Sequence, residues 1–141
     1  MRVGKEKERH IMRELKFRAW DAKEKQMISP DYVSRTGHAF WKENSIPTSS
    51  NLVMQFTGLY DNFGNKIYES DIITFPEFYE TPEMTNTNWI KGKVVFIHGS
   101  FHIQTNEEEI TPDTYNLAHE MQSYDGRIEV IGNIYQNPEL L

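Results

Sequence analysis

A chain of 141 residues is long enough for one domain with a modest core, and 38% hydrophobic against 26% charged residues fits a folded body that is not core-rich. There is no cysteine, which excludes disulfides and thiolate zinc sites. No apolar run approaches the roughly 18 residues of a membrane span, and the N-terminus lacks the apolar stretch of a secretory signal, so a cytoplasmic protein is expected.

The net charge of −6 is unevenly placed. Residues 1–25 hold nine Lys/Arg and five acids; the remaining 116 residues hold six and sixteen. An acidic body repels phosphate backbones, so nucleic-acid binding is disfavoured except through the basic N-terminal segment.

Residues 1–11 are polar and charge-dense, with only Val3 and Ile11 to bury. They read as an arm, a frayed helix or a non-native extension, and MRELKFRAWD from Met12 looks like a natural chain start. The domain proper is expected over 12–141. From Leu15 the pattern alternates, with Leu15, Phe17 and Ala19 on one face and Lys16, Arg18 and Trp20 on the other, as in a half-buried strand. Asp21 to Lys25 is a charged turn, and Gln26-Met27-Ile28 returns. Residues 29–51 show no reliable period and read as a long loop with at most one short strand, of the kind that serves binding or is mobile.

The most informative stretch is LVMQFTGLYDNFGNKIYESDIITF, residues 52–75. Two apolar runs flank Asp61 to Asn65, residue types that accept turn geometry. A hairpin, a sharp polar corner at Ser70-Asp71 and a third strand leaving it are predicted, with Gly58, Asp61, Gly64, Glu69 and Asp71 as its structural residues. Residues 76–88 are acidic and strand-poor and read as a second loop. Trp89 to Ile97 is a strand, His98-Gly99-Ser100 a tight turn, and Phe101 to Gln104 the return. Asp113 is a candidate cap for a short helical turn through Tyr115, Leu117 and Met121. Arg127 to Tyr135 is the most strand-like run in the chain. Short strands with turn signals and no βαβ alternation predict a mainly β fold, barrel-like or sandwich-like, with at most one short helix.

Candidate chemistry is sparse. Glu69 and Asp71, two apart on a strand, would share a face as a metal or acid–base pair does, yet an Asp after a turn also fixes backbone N–H groups. His98 and His102 lack the helical i, i+4 zinc geometry because Gly99 breaks any helix, leaving only a cross-turn pair. There is no GxSxG, P-loop or GxGxxG, so no catalytic residue, metal ligand or cofactor is assigned. Lys16, Arg18 and Trp20, with Arg13 nearby, form a basic strip ending in an indole that would suit a phosphate-bearing ligand. The competing reading pairs Arg18 with an acid of the body. Asn133, Tyr135, Asn137 and Pro138 would dock in cis or reach a neighbour, and an apolar tail together with strand edges predicts a homo-oligomer.

Four blocks in order, MRELKFRAWD (12–21), LVMQFTGLYDNFGNKIYESDII (52–73), GKVVF…GSF (92–101) and EVIGNIYQNPELL (129–141), resemble the YopX family of phage and prophage proteins. The resemblance implies a phage-encoded protein, largely β with an SH3-like barrel portion, and transfers no catalytic residue. The family usually has Gly before the corner Asp where this chain has Ser70, which suggests a less demanding corner or some strain. The expectation is a non-catalytic, self-associating accessory module that binds a host or phage protein through loops 29–51 and 76–88. The alternatives are a nucleotide-type ligand binder using Arg13, Lys16, Arg18 and Trp20, and a nucleic-acid factor using the arm.

Overall fold

The chain changes sheets at the polar corner, and the rest of the architecture hangs from that crossing. A computed structural model describes residues 13–41, 49–80, 85–105, 115–123 and 127–141; the arm 1–11 and Asp113 lie outside the described residues. The strands are β1 (Phe17–Asp21), β2 (Gln26–Ile28), β3 (Tyr32–Val33), β4 (Ala39–Phe40), β5 (Val53–Tyr60), β6 (Lys66–Tyr68), β7 (Asp71–Glu80), β8 (Thr85–Ile97), β9 (Ser100–Gln104) and β10 (Glu129–Asn133). One helix, α1, spans Leu117–Ser123, and short 3-10 turns cover Ser50–Leu52 and Pro138–Leu140. The first sheet runs β2-β1-β5-β6, the second β10-β7-β8-β9, and β3-β4 form a small ribbon. Every pairing is antiparallel, and the curled sheets make the mainly β, half-barrel body that the pattern predicts.

Four expectations are corrected. Residues 29–51 hold two short paired strands, β3 and β4, where at most one was expected. Residues 76–88 are not a strand-poor loop: β7 continues to Glu80 and β8 starts at Thr85, paired in register from Ile72↔Lys93 to Glu80↔Thr85. Acidic composition and Pro76 hide this ribbon, because cross-strand pairing overrides weak local propensity. In the first strand Ala19 is fully buried, but Leu15 and Phe17 are exposed, so the alternation does not end in a shared buried face. The helix also starts later than expected. Asn116 accepts the His119 N–H at 3.1 Å through its side chain, a cap the sequence reading placed on Asp113.

The main core gathers Ile67, Ile73, Phe75, Val94, Ile103, Leu117 and Ile128, all essentially solvent-free. Alternate residues of β7, β8 and β9 supply it, with Val94 directly opposite Ile103. Each such side chain contributes about 1.5–3 kcal/mol by burial. The β8–β9 turn has His98 at φ 53° and Gly99 at φ 78°, the two left-handed residues of a type I′ hairpin whose twist matches its strands.

Ser70 holds φ 69°, so the serine occupies a left-handed conformation that glycine enters freely. The surrounding bonds impose it. Its N–H donates to the Val94 carbonyl at 2.8 Å, and its carbonyl accepts the Ile134 N–H at 3.0 Å. The corner thus ties β8 and the segment after β10 to the β6–β7 crossing. The C-terminal segment docks in cis, with Tyr135 stacked on Trp20 at 5.6 Å. Asn133 caps the turn beyond it by accepting the Tyr135 and Gln136 N–H groups. Among the described residues no helix is long and apolar enough to cross a membrane.

Candidate functional site

The polar corner draws residues from four separated segments. Arg18 of β1 donates from Nη2 to Asp71 Oδ1 at 2.6 Å and to the Glu69 carbonyl at 3.3 Å. Its guanidinium sits 4.6 Å from the Tyr68 ring centroid. The Asp71 side chain is 2% exposed and that of Arg18 is 16%, so the ion pair is largely out of water. Asp71 Oδ2 accepts the Tyr68 N–H at 2.8 Å, closing the turn on itself. Glu69 turns away and accepts the Gln55 N–H at 2.9 Å, while its own N–H donates to the Gln55 carbonyl. The two carboxylates therefore act on different backbone segments rather than on one shared ligand.

Asp61 is a second buried hub. Oδ1 accepts the Phe63 and Asn65 N–H groups at 2.9 and 2.8 Å, and Oδ2 accepts Asn65 Nδ2 at 3.1 Å and the Val130 N–H at 3.0 Å. One side chain thereby shapes the β5–β6 loop and fastens it to β10. Gly64 follows it at φ 83°, and Gly58 at φ 85° marks the register shift in β5 between Phe56 and Tyr60.

Electrostatics follow the geometry. Burial pushes the Asp61 carboxyl up, but its N–H donors, led by Val130, outweigh burial and hold it below the ordinary value. Burial raises Glu69, opposed only by the Gln55 N–H. Burial also raises Asp71, against the charge of Arg18 and the Tyr68 N–H. Both Asp71 oxygens accept from donors, as an ionised carboxylate does.

The basic strip is dispersed. Arg13 is exposed beside a groove of about 380 Å3 that Leu59, Phe96 and Phe101 also line. Lys16 pairs loosely with Glu14 at 3.5 Å on the surface. Arg18 is held by Asp71, and Trp20 by Tyr135. His98 sits in the hairpin turn, whereas His102 is buried with Nδ1 3.2 Å from the Ser100 carbonyl oxygen. Among the described residues no cluster of three or more His, Asp or Glu is arranged to hold a metal.

Two further grooves were not visible in the sequence, because each joins segments far apart in the chain. One of about 440 Å3 brings Leu15, Lys16 and Phe17 against Ser29 to Val33 and Tyr68. Tyr32 there stacks on Phe40 at 4.7 Å. The other, of about 340 Å3, is lined by Asn62, Phe63, Trp89, Arg127 and Glu129. The one signal for either is an aromatic residue in a polar stretch, which sequence alone cannot distinguish from a core residue.

The crystal structure of protein EF1440 from Enterococcus faecalis is similar in fold, with a TM-score of 0.55 and 22% sequence identity, covering 92% of this chain and 99% of that one. No curated protein matches the chain. The family model described as YopX protein matches residues 16–141, the whole body including corner, both sheets and C-terminal segment. The chain therefore belongs to the YopX protein family.

Proposed function

We propose that this protein is a phage-encoded, non-catalytic interaction module that works in the host cytoplasm and needs no cofactor. The observation that carries the reading is the groove of about 440 Å3 on which exposed Leu15, Phe17 and Tyr32 converge. Three large apolar side chains left in water around one concavity are what a partner's apolar anchor would cover. The groove is formed in part by residues 29–33, in the segment expected to vary and to bind. The carboxylates of the corner support the same view, since each is occupied with backbone N–H groups or with Arg18. The nucleotide-type reading of Arg13, Lys16, Arg18 and Trp20 would require opening a 2.6 Å buried ion pair before Arg18 could meet a phosphate.

The partner is a host or phage protein, and self-association through the same apolar surface is the second half of the proposal. A photo-crosslinking residue at position 17 should capture a defined protein in cells carrying the phage genes. Tyr32→Ser with Leu15→Ser should abolish capture while the protein stays folded. Capture unchanged by these substitutions would sink the groove assignment, and a monomer by light scattering at every concentration would sink self-association.

A further inference from the structure

The groove of about 440 Å3 is lined by the rings of Phe17, Tyr32 and Tyr68, and both tyrosines are held in place by neighbouring side chains. Tyr32 lies nearly flat on Phe40, with the ring planes 9° apart and the centroids at 4.7 Å. Tyr68 packs against the buried Phe56 ring at 5.6 Å and carries the Arg18 guanidinium 4.6 Å from its centroid. Among the described residues neither tyrosine hydroxyl makes a hydrogen bond. Rings fixed in this way lose little freedom on binding, and each carries a donor still in search of an acceptor.

Those two donors say what kind of chain fits. A partner strand needs an open sheet edge, and the edges of the first sheet, β2 and β6, are three residues each. A helix satisfies its own carbonyls and would lay a broad apolar stripe over Lys16 and Asp31, which interrupt the lining. A polyproline II segment has no internal hydrogen bonds, so its carbonyls stand open to hydroxyl donors while its proline rings pack on aromatic faces. Charge narrows the choice further. Asp31 is exposed, and among the described residues its carboxylate has no ion pair or hydrogen bond. Lys16, the other charge of the lining, already pairs with Glu14 at 3.5 Å. The charge left unanswered at the groove is therefore negative.

We propose that this groove takes a proline-rich segment of the partner in polyproline II conformation, with the Tyr32 and Tyr68 hydroxyls donating to its carbonyls. A Lys or Arg flanking the prolines pairs with Asp31. Resting on the interaction reading, this contact specifies the partner's side of the groove. The six prolines of this chain stand singly, so a second copy cannot supply the segment, and the segment would displace a copy seated on the same groove.

The test titrates the full chain into two fluorescent peptides of about eight prolines, one with arginine before the run and one with arginine after it. Saturable binding of at least one is expected. Tyr32→Phe and Tyr68→Phe should each weaken it about fivefold, the worth of one hydrogen bond, with thermal melts establishing that the variants fold. Replacing the arginine by glutamate should weaken binding to the unmodified chain and strengthen binding to Asp31→Lys. Absence of binding by both peptides overturns the proposal. So do affinities that the tyrosine and Asp31 substitutions leave unchanged. Mass spectrometry of the partner segment crosslinked at position 17 separates this contact from the reading it rests on. A captured segment without prolines overturns the polyproline chemistry and leaves the groove a partner site, whereas capture of no protein overturns the reading and this proposal with it.

Discussion

Replacing Arg18 by Met keeps the aliphatic stem and removes the guanidinium from a carboxylate that has almost no access to water. Asp71 is 2% exposed and would retain the Tyr68 N–H while losing its partner at 2.6 Å. Abandoning a buried charge in this way costs about 3–5 kcal/mol. The residual exposure of Arg18, 16%, puts the expected loss near the lower end, about 3 kcal/mol. In a domain of this size that lowers Tm by roughly 10 °C. Urea denaturation should show a lower midpoint with an unchanged m-value. Asp71→Asn alone should cost less than Arg18→Met, because Arg18 reaches solvent more readily than Asp71 does. In the Arg18→Met background, Asp71→Asn should recover part of the loss, since the amide oxygen still accepts the Tyr68 N–H and no charge is stranded. A loss below about 1 kcal/mol for Arg18→Met, the scale of an exposed pair such as Lys16–Glu14, would refute the reasoning.

Three other outcomes follow from the corner. Ser70→Gly should stabilise by up to about 1 kcal/mol, the relief of a left-handed residue less the greater freedom of glycine when unfolded, and Ser70→Val should destabilise; urea midpoints decide both. Asp61 is held below the ordinary carboxylate value, so its contribution is complete above that value and is lost as pH falls through its lowered folded one. Asp61→Asn should therefore flatten the acid limb of a stability–pH profile and lower its plateau. Glu69 is raised by burial, so the folded state holds its proton more tightly than the unfolded chain and stability declines as pH rises through the raised range. Glu69→Gln should remove that decline, because its carbonyl still accepts the Gln55 N–H.

Local grammar carried the hairpin of residues 52–75, the β8–β9 turn at His98-Gly99 and the final strand into view, since each rests on neighbours in sequence: turn residues between apolar runs, or alternation over a few positions. The ribbon of β7 and β8 beyond Phe75 was hidden because its pairing partner, not its composition, makes it extended. The corner was legible as a bend, and its Asp71 as a backbone acceptor. That Arg18 completes it was open, because the two residues are 53 apart and meet only once β1 has joined β5 in the first sheet. The basic strip dispersed for the same reason: alternation places side chains on faces but does not say what lies across from each.

Amide hydrogen exchange at Gln55, Tyr68 and Val130 is the most direct test of the claim that the buried carboxylates are spent on the backbone, because those N–H groups donate to Glu69, Asp71 and Asp61 at 2.9, 2.8 and 3.0 Å. All three should exchange with the slow class of core strand amides and accelerate individually in Glu69→Ala, Asp71→Ala and Asp61→Ala. Exchange at the rate of open loop amides in the unmodified protein would contradict the account.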